Sequence, residues 1–312
     1  MRRVGILVSL GLVAALMLQS MAAIAAPSLH GAFNSGQAYA YTAEIAALGE
    51  RWPGSPGHKK TEEIIHQVLQ KDGALIQADD FVAKTPRGPV NVHNIIGKFN
   101  VSADPKQGIF ILAGHYDTLF KLGFIGANDG ASSAGILLAF ADALAHQKTK
   151  MQIWLLWTDL EEAVNIGVFT NNDGLYGSQH LANELKANGT TPRIRGFFLL
   201  DMIGDKDLGV ARETNSSSRL QEYISQAASD LGYSRYFFQY KADITDDQIS
   251  FIKVGVPSVD VVDAEFGSMS TGDGMGEFHH TNADTMDKVS QHSLEIVGKA
   301  VLLAVELIDA RE

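Results

Sequence analysis

The sequence predicts a three-layer α/β/α sandwich whose central sheet is mixed and largely parallel. Two observations lead to this prediction: strand-like and helix-like patterns alternate along most of the chain, and several of the strand-like runs are short and apolar. Short apolar runs are typical of strands that are buried on both faces, as in parallel sheets. Two strand-like patterns that come early in the chain predict an antiparallel part of the same sheet.

The elements follow one another without a break that would divide the chain. Strand-like patterns cover residues 74–82, 92–99, 109–113, 153–157, 197–200 and 258–262. Helix-like patterns cover residues 42–48, 60–69, 134–145, 178–187, 217–231 and 290–308. Ser132 or Ser133 can cap the third of these helices, because serine is favoured just before a helix begins. Since no linker interrupts the alternation, we expect residues 26–312 to form a single domain.

The N-terminal segment is typical of an export signal. Arg2 and Arg3 precede an apolar run over residues 4–18, and small residues follow as far as Ala25. This order predicts a signal peptide over residues 1–25, and therefore a periplasmic or secreted protein. An uncleaved anchor is the alternative, although the run is barely long enough to span a bilayer. We expect no stable membrane insertion after the signal is removed.

Composition excludes some classes of function. The formal net charge of -11 would repel phosphates, so we expect no nucleic-acid partner. The chain contains no cysteine, so neither disulfides nor thiolate metal ligands contribute. An apolar content of 46% with 20% charged residues is ordinary for a folded globular protein.

Histidine and acidic residues follow the predicted buried strands. They are His115 and Asp117 after the third strand, Glu161 and Glu162 after the fourth, Asp201 after the fifth, and Asp263 and later His279 and His280 after the sixth. Asp129 lies in the glycine-rich loop before a helix. Ligands of α/β sheets gather beyond the carboxyl ends of the strands, so these residues predict a metal site there. Mixed histidine and carboxylate ligands favour a catalytic zinc with an open position.

The adjacent pair Glu161 and Glu162 needs an explanation of its own. Neighbouring like charges repel, and beside a core they are tolerated when a cation lies close or when one of them is protonated. Neighbouring side chains of extended backbone point to opposite sides. We therefore expect one glutamate to hold the metal while the other faces a substrate.

Five motifs of this sequence resemble those of the zinc-dependent aminopeptidase family that also contains the animal-type glutaminyl cyclases. They are GHYDT at Gly114, GANDGASSAG at Gly126, DLEEA at Asp159, LLDMIG at Leu199 and HTNADTMD at His280. They occur in the family's order and span nearly the whole mature chain. The resemblance implies that Asp129, Glu162 and His280 hold the zinc that both branches keep, and that Glu161 is the general acid/base.

The resemblance also assigns roles around this zinc. His115 and Asp201 match the ligands of a second zinc in the aminopeptidases, where Asp129 bridges both ions. We therefore expect one zinc, while the residues for a second are present. Asp117 matches the carboxylate that orients His115.

Several segments resemble the cyclases more than the aminopeptidases. They are RWPGSPGHKK at Arg51, DDFVAKTPRG at Asp79, DGLYGSQHLA at Asp173 and DDQISFIKVGVPSVDVV at Asp246. Asp246 matches the cyclase acid that shares a hydrogen-bond network with Glu161 and Asp201. The resemblance therefore implies a glutaminyl-peptide cyclotransferase, which acts on peptides with a free N-terminal glutamine and releases ammonia. The alternative is a zinc aminopeptidase that hydrolyses N-terminal residues.

Two positions depart from the cyclase pattern. Cyclases usually carry a tryptophan just before the last zinc ligand, where this chain has His279, and Gly167 stands near the place of another pocket tryptophan. His279 can act as a substitute wall for the substrate, as an additional ligand, or as a solvated histidine. A third reading, a non-enzymatic receptor on the same frame, is disfavoured because every ligand position is filled.

Overall fold

The computed structural model describes residues 28–165, 173–267 and 274–312. Within these ranges six strands form one sheet with helices on both faces, which confirms the predicted three-layer sandwich. The predicted signal segment and Gly167 lie outside the described residues. No helix in the described ranges combines the length and apolar character needed to cross a bilayer.

The helices and strands alternate in the predicted manner. The strands are β1 (Leu75–Thr85), β2 (Gly88–Phe99), β3 (Ile109–His115), β4 (Gln152–Thr158), β5 (Ile194–Asp201), β6 (Val210–Glu213), β7 (Phe237–Ala242) and β8 (Ser258–Val262). The helices are α1 (Leu29–Ala32), α2 (Ser35–Ala46), α3 (Pro56–Lys71), α4 (Ala131–Leu144), α5 (Tyr176–Ala187), α6 (Ser218–Asp230), α7 (Asp247–Lys253) and α8 (Gln291–Asp309).

The large sheet has the strand order β1-β2-β4-β3-β5-β8. β2 pairs antiparallel with β1 and with β4, whereas the pairs β4–β3, β3–β5 and β5–β8 are parallel. Every residue of β3, β4 and β8 is buried, as their apolar runs predicted. The carboxyl ends of the four parallel strands therefore meet at one edge, where the predicted site residues follow them.

Two cores cover the two faces of the sheet. The larger one joins the sheet to α1, α2, α3, α4, α6 and α8, and the smaller one joins it to α5 and α7. Helix α4, in which every residue but Asp142 is buried, packs against β3 and β4, so the loop before this helix is held at the carboxyl edge.

Gly114 allows the backbone at the end of β3 to pass close to α4 and β5. A Cβ atom at this position would lie 2.6 Å from Ser133 Cβ on α4 and 3.1 Å from Leu200 O on β5. Contacts this short are not tolerated, so only glycine lets the end of β3 pass between the helix and the neighbouring strand. The following residue, His115, is thereby fixed at the sheet edge.

Some element boundaries differ from the prediction, for local reasons. The helix predicted from residue 42 begins at Ser35, after an Asn34 side chain that accepts the Gln37 N–H. Helix α4 begins at Ala131 after Gly130, and so the predicted serine cap is wrong. Both serines lie in the first turn, and the Ser133 hydroxyl donates to His115 O at 3.3 Å. The elements β6, β7 and α7, of 4, 6 and 7 residues, are too short to show a periodicity in the sequence.

Candidate active site

A cavity of about 390 Å³ opens at the carboxyl edge of the sheet. The predicted site residues that line it are Asp129, Glu161, Glu162, Asp201, Asp246, His279 and His280. These residues come from widely separated parts of the chain, and the parallel strand ends bring them together. His115 and Asp117 are buried, at 2% and 0% exposure, and contact the cavity residues from the protein interior.

His280 joins the two carboxylates that the resemblance assigns to the zinc. Its Nε2 atom lies 3.1 Å from Glu162 Oε2 and 3.6 Å from Asp129 Oδ2. Among the described residues, the buried atoms Asp129 Oδ2 and Glu162 Oε1 have no hydrogen-bond partner. Buried carboxylate oxygens require hydrogen bonds or a cation, so these three residues fit a divalent metal ion. Two carboxylates and one imidazole suit zinc.

Two other groups of potential ligands are more compact. In His115–Asp129–Asp201 and in Asp129–His279–His280, the ligand atoms of all three residues lie within 4.8 Å of one another. His115 Nε2 is 3.2 Å from both Asp129 Oδ1 and Asp201 Oδ1. Glu162 belongs to neither of these groups and contacts the cluster through His280. The structure thus brings together the residues for a second ion, and places His279 within reach of the first.

Electrostatics distinguish the two buried carboxylates beside His280. Burial opposes the charged form of Asp129, but hydrogen bonding to His115 and the charge of His280 hold its pKa well below the ordinary value. Burial raises the pKa of Glu162, and the charge of Asp129 adds to this. Burial opposes ionisation of both residues; the histidines outweigh it at Asp129, whereas at Glu162 burial and the charge of Asp129 outweigh the opposing charge of His280.

The two glutamates lie on a turn directly after β4. Leu160 has a φ of 51°, in the left-handed region, and the chain bends here just before Glu161. Both glutamates line the same cavity. The expectation that the two side chains point to opposite sides of an extended backbone is therefore wrong. Asp117 accepts the backbone N–H of Glu161 at 3.2 Å and that of Glu162 at 3.3 Å. Its expected contact with His115 is longer, at 3.5 Å from Nδ1.

Acidic groups surround Glu161. Burial raises the pKa of Glu161 well above its ordinary value, and the nearby charge of Asp246 raises it further. Asp246 directly precedes α7 and caps it, because its side chain accepts the Asp247 N–H. Burial, and then the charge of Asp201, raise the pKa of Asp246 as well. The structure thus places Glu161, Asp201 and Asp246 in one electrostatic environment within the cavity.

Two further residues hold the loop that carries Asp129. Asp284, which lies in the HTNADTMD motif, accepts the N–H of Asn128 at 2.8 Å and the N–H of Asp129 at 3.0 Å. The fully buried Arg51 donates to the backbone oxygens of Tyr116, Gly126, Ile125 and Gly49. Both residues lie in motifs noted in the sequence, but the sequence does not predict these contacts, because neither residue follows a predicted strand.

Replacing Arg51 with methionine is expected to destabilise the protein by about 3 kcal/mol or more. The substitution leaves several buried carbonyl groups unpaired, and each such group costs about 1–3 kcal/mol. Arg51→Lys retains the charge without the planar fork, so we expect a loss of similar size. Urea unfolding of both variants measures the effect. A lysine variant as stable as the wild type would show that charge, and not the set of hydrogen bonds, is what Arg51 contributes.

The fold and the cavity define a class of protein. A mixed sheet with histidine and carboxylates at its carboxyl edge is the arrangement of zinc-peptidase-like α/β enzymes. The model of peptidase family M28 matches residues 94–305, and the chain belongs to this family.

Individual proteins similar to this chain include glutaminyl cyclases and a zinc-dependent exopeptidase. The crystal structure of a glutaminyl cyclase from an Acidobacteriales bacterium is 38% identical, with a TM-score of 0.83, and the match covers 90% of this chain and 96% of that one. The glutaminyl-peptide cyclotransferase of Bos taurus is 28% identical over 284 residues, which cover 78% of this chain and 77% of the relative. A Zn-dependent exopeptidase from Parabacteroides distasonis is 26% identical with a TM-score of 0.78, covering 89% of this chain and 98% of that one. The cyclase relatives support the cyclase reading over the aminopeptidase alternative.

Proposed function

We propose that this protein is a zinc-dependent glutaminyl-peptide cyclotransferase, which converts an N-terminal glutamine of a peptide to pyroglutamate and releases ammonia. The observation that carries the proposal is the cavity in which Glu161 lies with Asp246 and Asp201, beside potential zinc ligands. The similarity to glutaminyl cyclases along most of the chain supports the same conclusion.

In this proposal Asp129, Glu162 and His280 hold one zinc. Bound there, zinc supplies Lewis-acid polarisation of the side-chain amide carbonyl of the substrate. Asp129 Oδ2 and Glu162 Oε1 support this assignment, because both atoms are buried and neither accepts a hydrogen bond from the described residues. Asp117 fixes the backbone on which Glu162 is presented.

Glu161 is the group that moves the proton. It accepts a proton from the α-amine of the glutamine as the amine nitrogen forms a bond to the side-chain amide carbon. It then delivers this proton to the departing nitrogen, so that the carbon–nitrogen bond of the amide breaks and ammonia leaves. Substrate and products balance without water. Asp246 and Asp201 supply the acidic surroundings in which Glu161 exchanges this proton.

His279 is proposed to contact the substrate. Its ring lines the cavity and stacks on the ring of His280 with centroids 3.7 Å apart. A flat ring beside a zinc ligand can form the wall against which the glutamine side chain packs, as the tryptophan of other cyclases would.

An aminopeptidase is the second candidate, and one observation favours it. His115, Asp129 and Asp201 form a compact group that suits a second zinc. With two ions, the same frame would activate a water molecule for peptide hydrolysis.

Assays with two substrates separate these functions. Purified protein is incubated with a glutamine-initiated peptide and with a leucine-initiated chromogenic amide, and its metal content is measured. We expect ammonia and a cyclised peptide from the first substrate and no release of chromophore from the second. Chromophore release without ammonia would instead establish the aminopeptidase.

We also propose that the protein is exported and that residues 1–25 are removed, leaving one domain from residue 26. The arginine pair, apolar run and small residues of the N-terminal segment support this. Intact-mass measurement of the protein recovered from its native host, together with its compartment, tests both points. A retained N-terminus would contradict the proposal.

A further inference from the structure

A buried histidine–aspartate pair lies behind the turn that carries Glu161 and Glu162. His58 Nε2 is 2.8 Å from Asp159 Oδ1, and the two residues are 1% and 0% exposed. His58 lies in the first turn of α3, and Asp159 directly follows β4. Neither is among the described residues that line the cavity. The pair therefore belongs to the support of the site and does not contact the substrate.

The Asp159 carboxylate ties the end of β4 to its surroundings. Its Oδ1 atom also accepts the Leu160 N–H, and its Oδ2 atom accepts the His93 N–H on β2, both at 2.8 Å. The pairing of β2 with β4 ends at Ile95 opposite Trp157, so His93 lies opposite Asp159 just beyond it. The side chain thus extends the connection between the two strands after the backbone ladder has ended.

The turn that begins here is strained. The left-handed conformation of Leu160 costs about 1–2 kcal/mol for a residue other than glycine. Asp159 holds the N–H of Leu160, and Asp117 holds those of Glu161 and Glu162. Three successive amides therefore donate to two buried carboxylates. Strained backbone persists only where its surroundings fix it, and these contacts do so.

His58 is the side-chain partner of the buried Asp159 carboxylate. Its other ring nitrogen lies 3.6 Å from Glu62 Oε1, so each nitrogen faces a carboxylate, and its ring stacks on Tyr116. Burial lowers the pKa of His58, but the charge of Asp159 and the hydrogen bond to it, together with Glu62, raise it above the ordinary value. Removing one partner of a buried ion pair leaves the other uncompensated, which is strongly destabilising.

We propose that His58 is a positioning residue: by pairing with Asp159 it fixes the left-handed turn at Leu160 and so aligns Glu161 beside the metal that Glu162 binds. The part of this proposal that concerns Glu161 rests on the proposed function, in which Glu161 transfers the proton. The part that concerns Glu162 requires only that Glu162 binds a metal ion. A misplacement of about 1 Å can lower the rate of an enzyme about 100-fold, so a support outside the cavity can matter greatly.

Two substitutions at position 58 test this role. Gln carries an amide N–H that can donate to Asp159, whereas Leu fills similar space without a donor. We expect His58→Leu to lower kcat for ammonia release about 10–100-fold with KM nearly unchanged, because the interaction aligns a group that acts in the transition state. Its zinc affinity, measured by competition with a chromogenic chelator, should fall about 10-fold or more. His58→Gln should recover most of both quantities.

His30 provides a matched control. It pairs with Glu306 between α1 and α8, away from the cavity, so His30→Leu should change thermal stability without changing kcat or zinc affinity. Equal kcat and zinc affinity in the Leu and Gln variants of His58 would overturn the proposal. It would also be overturned if kcat and zinc affinity fell in proportion to Tm alone in the variants of both His58 and His30. If the wild type binds zinc but releases no ammonia, the proposed function fails, and the zinc affinities of the two variants still decide the role of His58.

Discussion

Replacing Glu161 with glutamine is expected to lower kcat for ammonia release by about 10²–10⁴-fold, the range typical of a lost general acid/base. The substitution keeps the size of the side chain and removes its ability to take a proton from the amine. Because Glu162 and His280 remain, zinc content and affinity should stay close to those of the wild type. Steady-state kinetics with a glutamine-initiated peptide, and metal analysis of the same samples, measure both quantities.

The exposed Glu184 on α5 gives the control for this prediction. Glu184→Gln changes the net charge by the same amount and should leave kcat unaltered. A Glu161→Gln variant that retains more than about a tenth of the wild-type kcat would exclude Glu161 as the proton carrier. Loss of activity together with loss of zinc would instead assign Glu161 to the metal.

Replacing Asp129 with asparagine is expected to abolish activity through loss of the metal. Asp129 belongs to both compact ligand groups found among the described residues and also contacts His280, so each of these ion placements depends on it. Changing a residue that merely orients a ligand costs about 10–100-fold in metal affinity, and removing the ligand should cost at least as much. Chelator competition and ammonia release measure the two effects.

Two comparisons make the Asp129 result specific. Asp207→Asn, at an exposed position, should bind zinc as the wild type does. Treating the wild type with a chelator should reproduce the inactivity of Asp129→Asn, and added zinc should restore only the wild type. Full activity of the metal-free wild type would contradict the account.

Much of the fold could be predicted because apolar periodicity reports burial directly. The apolar runs that correspond to β3, β4 and β8 are buried at every residue. The alternation of these strands with helices predicts the three layers of the fold. Caps and short elements escaped prediction, since they depend on tertiary contacts. Helix α4 begins after Gly130, although Ser132 and Ser133 offered a cap in the sequence, because both hydroxyls lie inside the first turn and donate to the backbone oxygens of Asn128 and His115.

Part of the site could be predicted for the same reason that the sheet could. Residues at the carboxyl ends of parallel strands must meet at one edge, and Glu161, Glu162 and Asp201 do so. The supporting contacts could not be predicted, because they join residues far apart in the chain. Arg51 contacts the backbone of Gly126, which is 75 residues away in the sequence. His58 contacts Asp159, which is 101 residues away. No local pattern encodes such pairs.

Anomalous diffraction at the zinc edge, from crystals of the zinc-loaded protein, tests the central claim most directly. The account predicts a peak about 2.0–2.2 Å from side-chain atoms of Asp129, Glu162 and His280, with the Glu161 carboxylate beside the remaining coordination position. A peak held only by His115, Asp129 and Asp201, or no peak in the cavity, would contradict it.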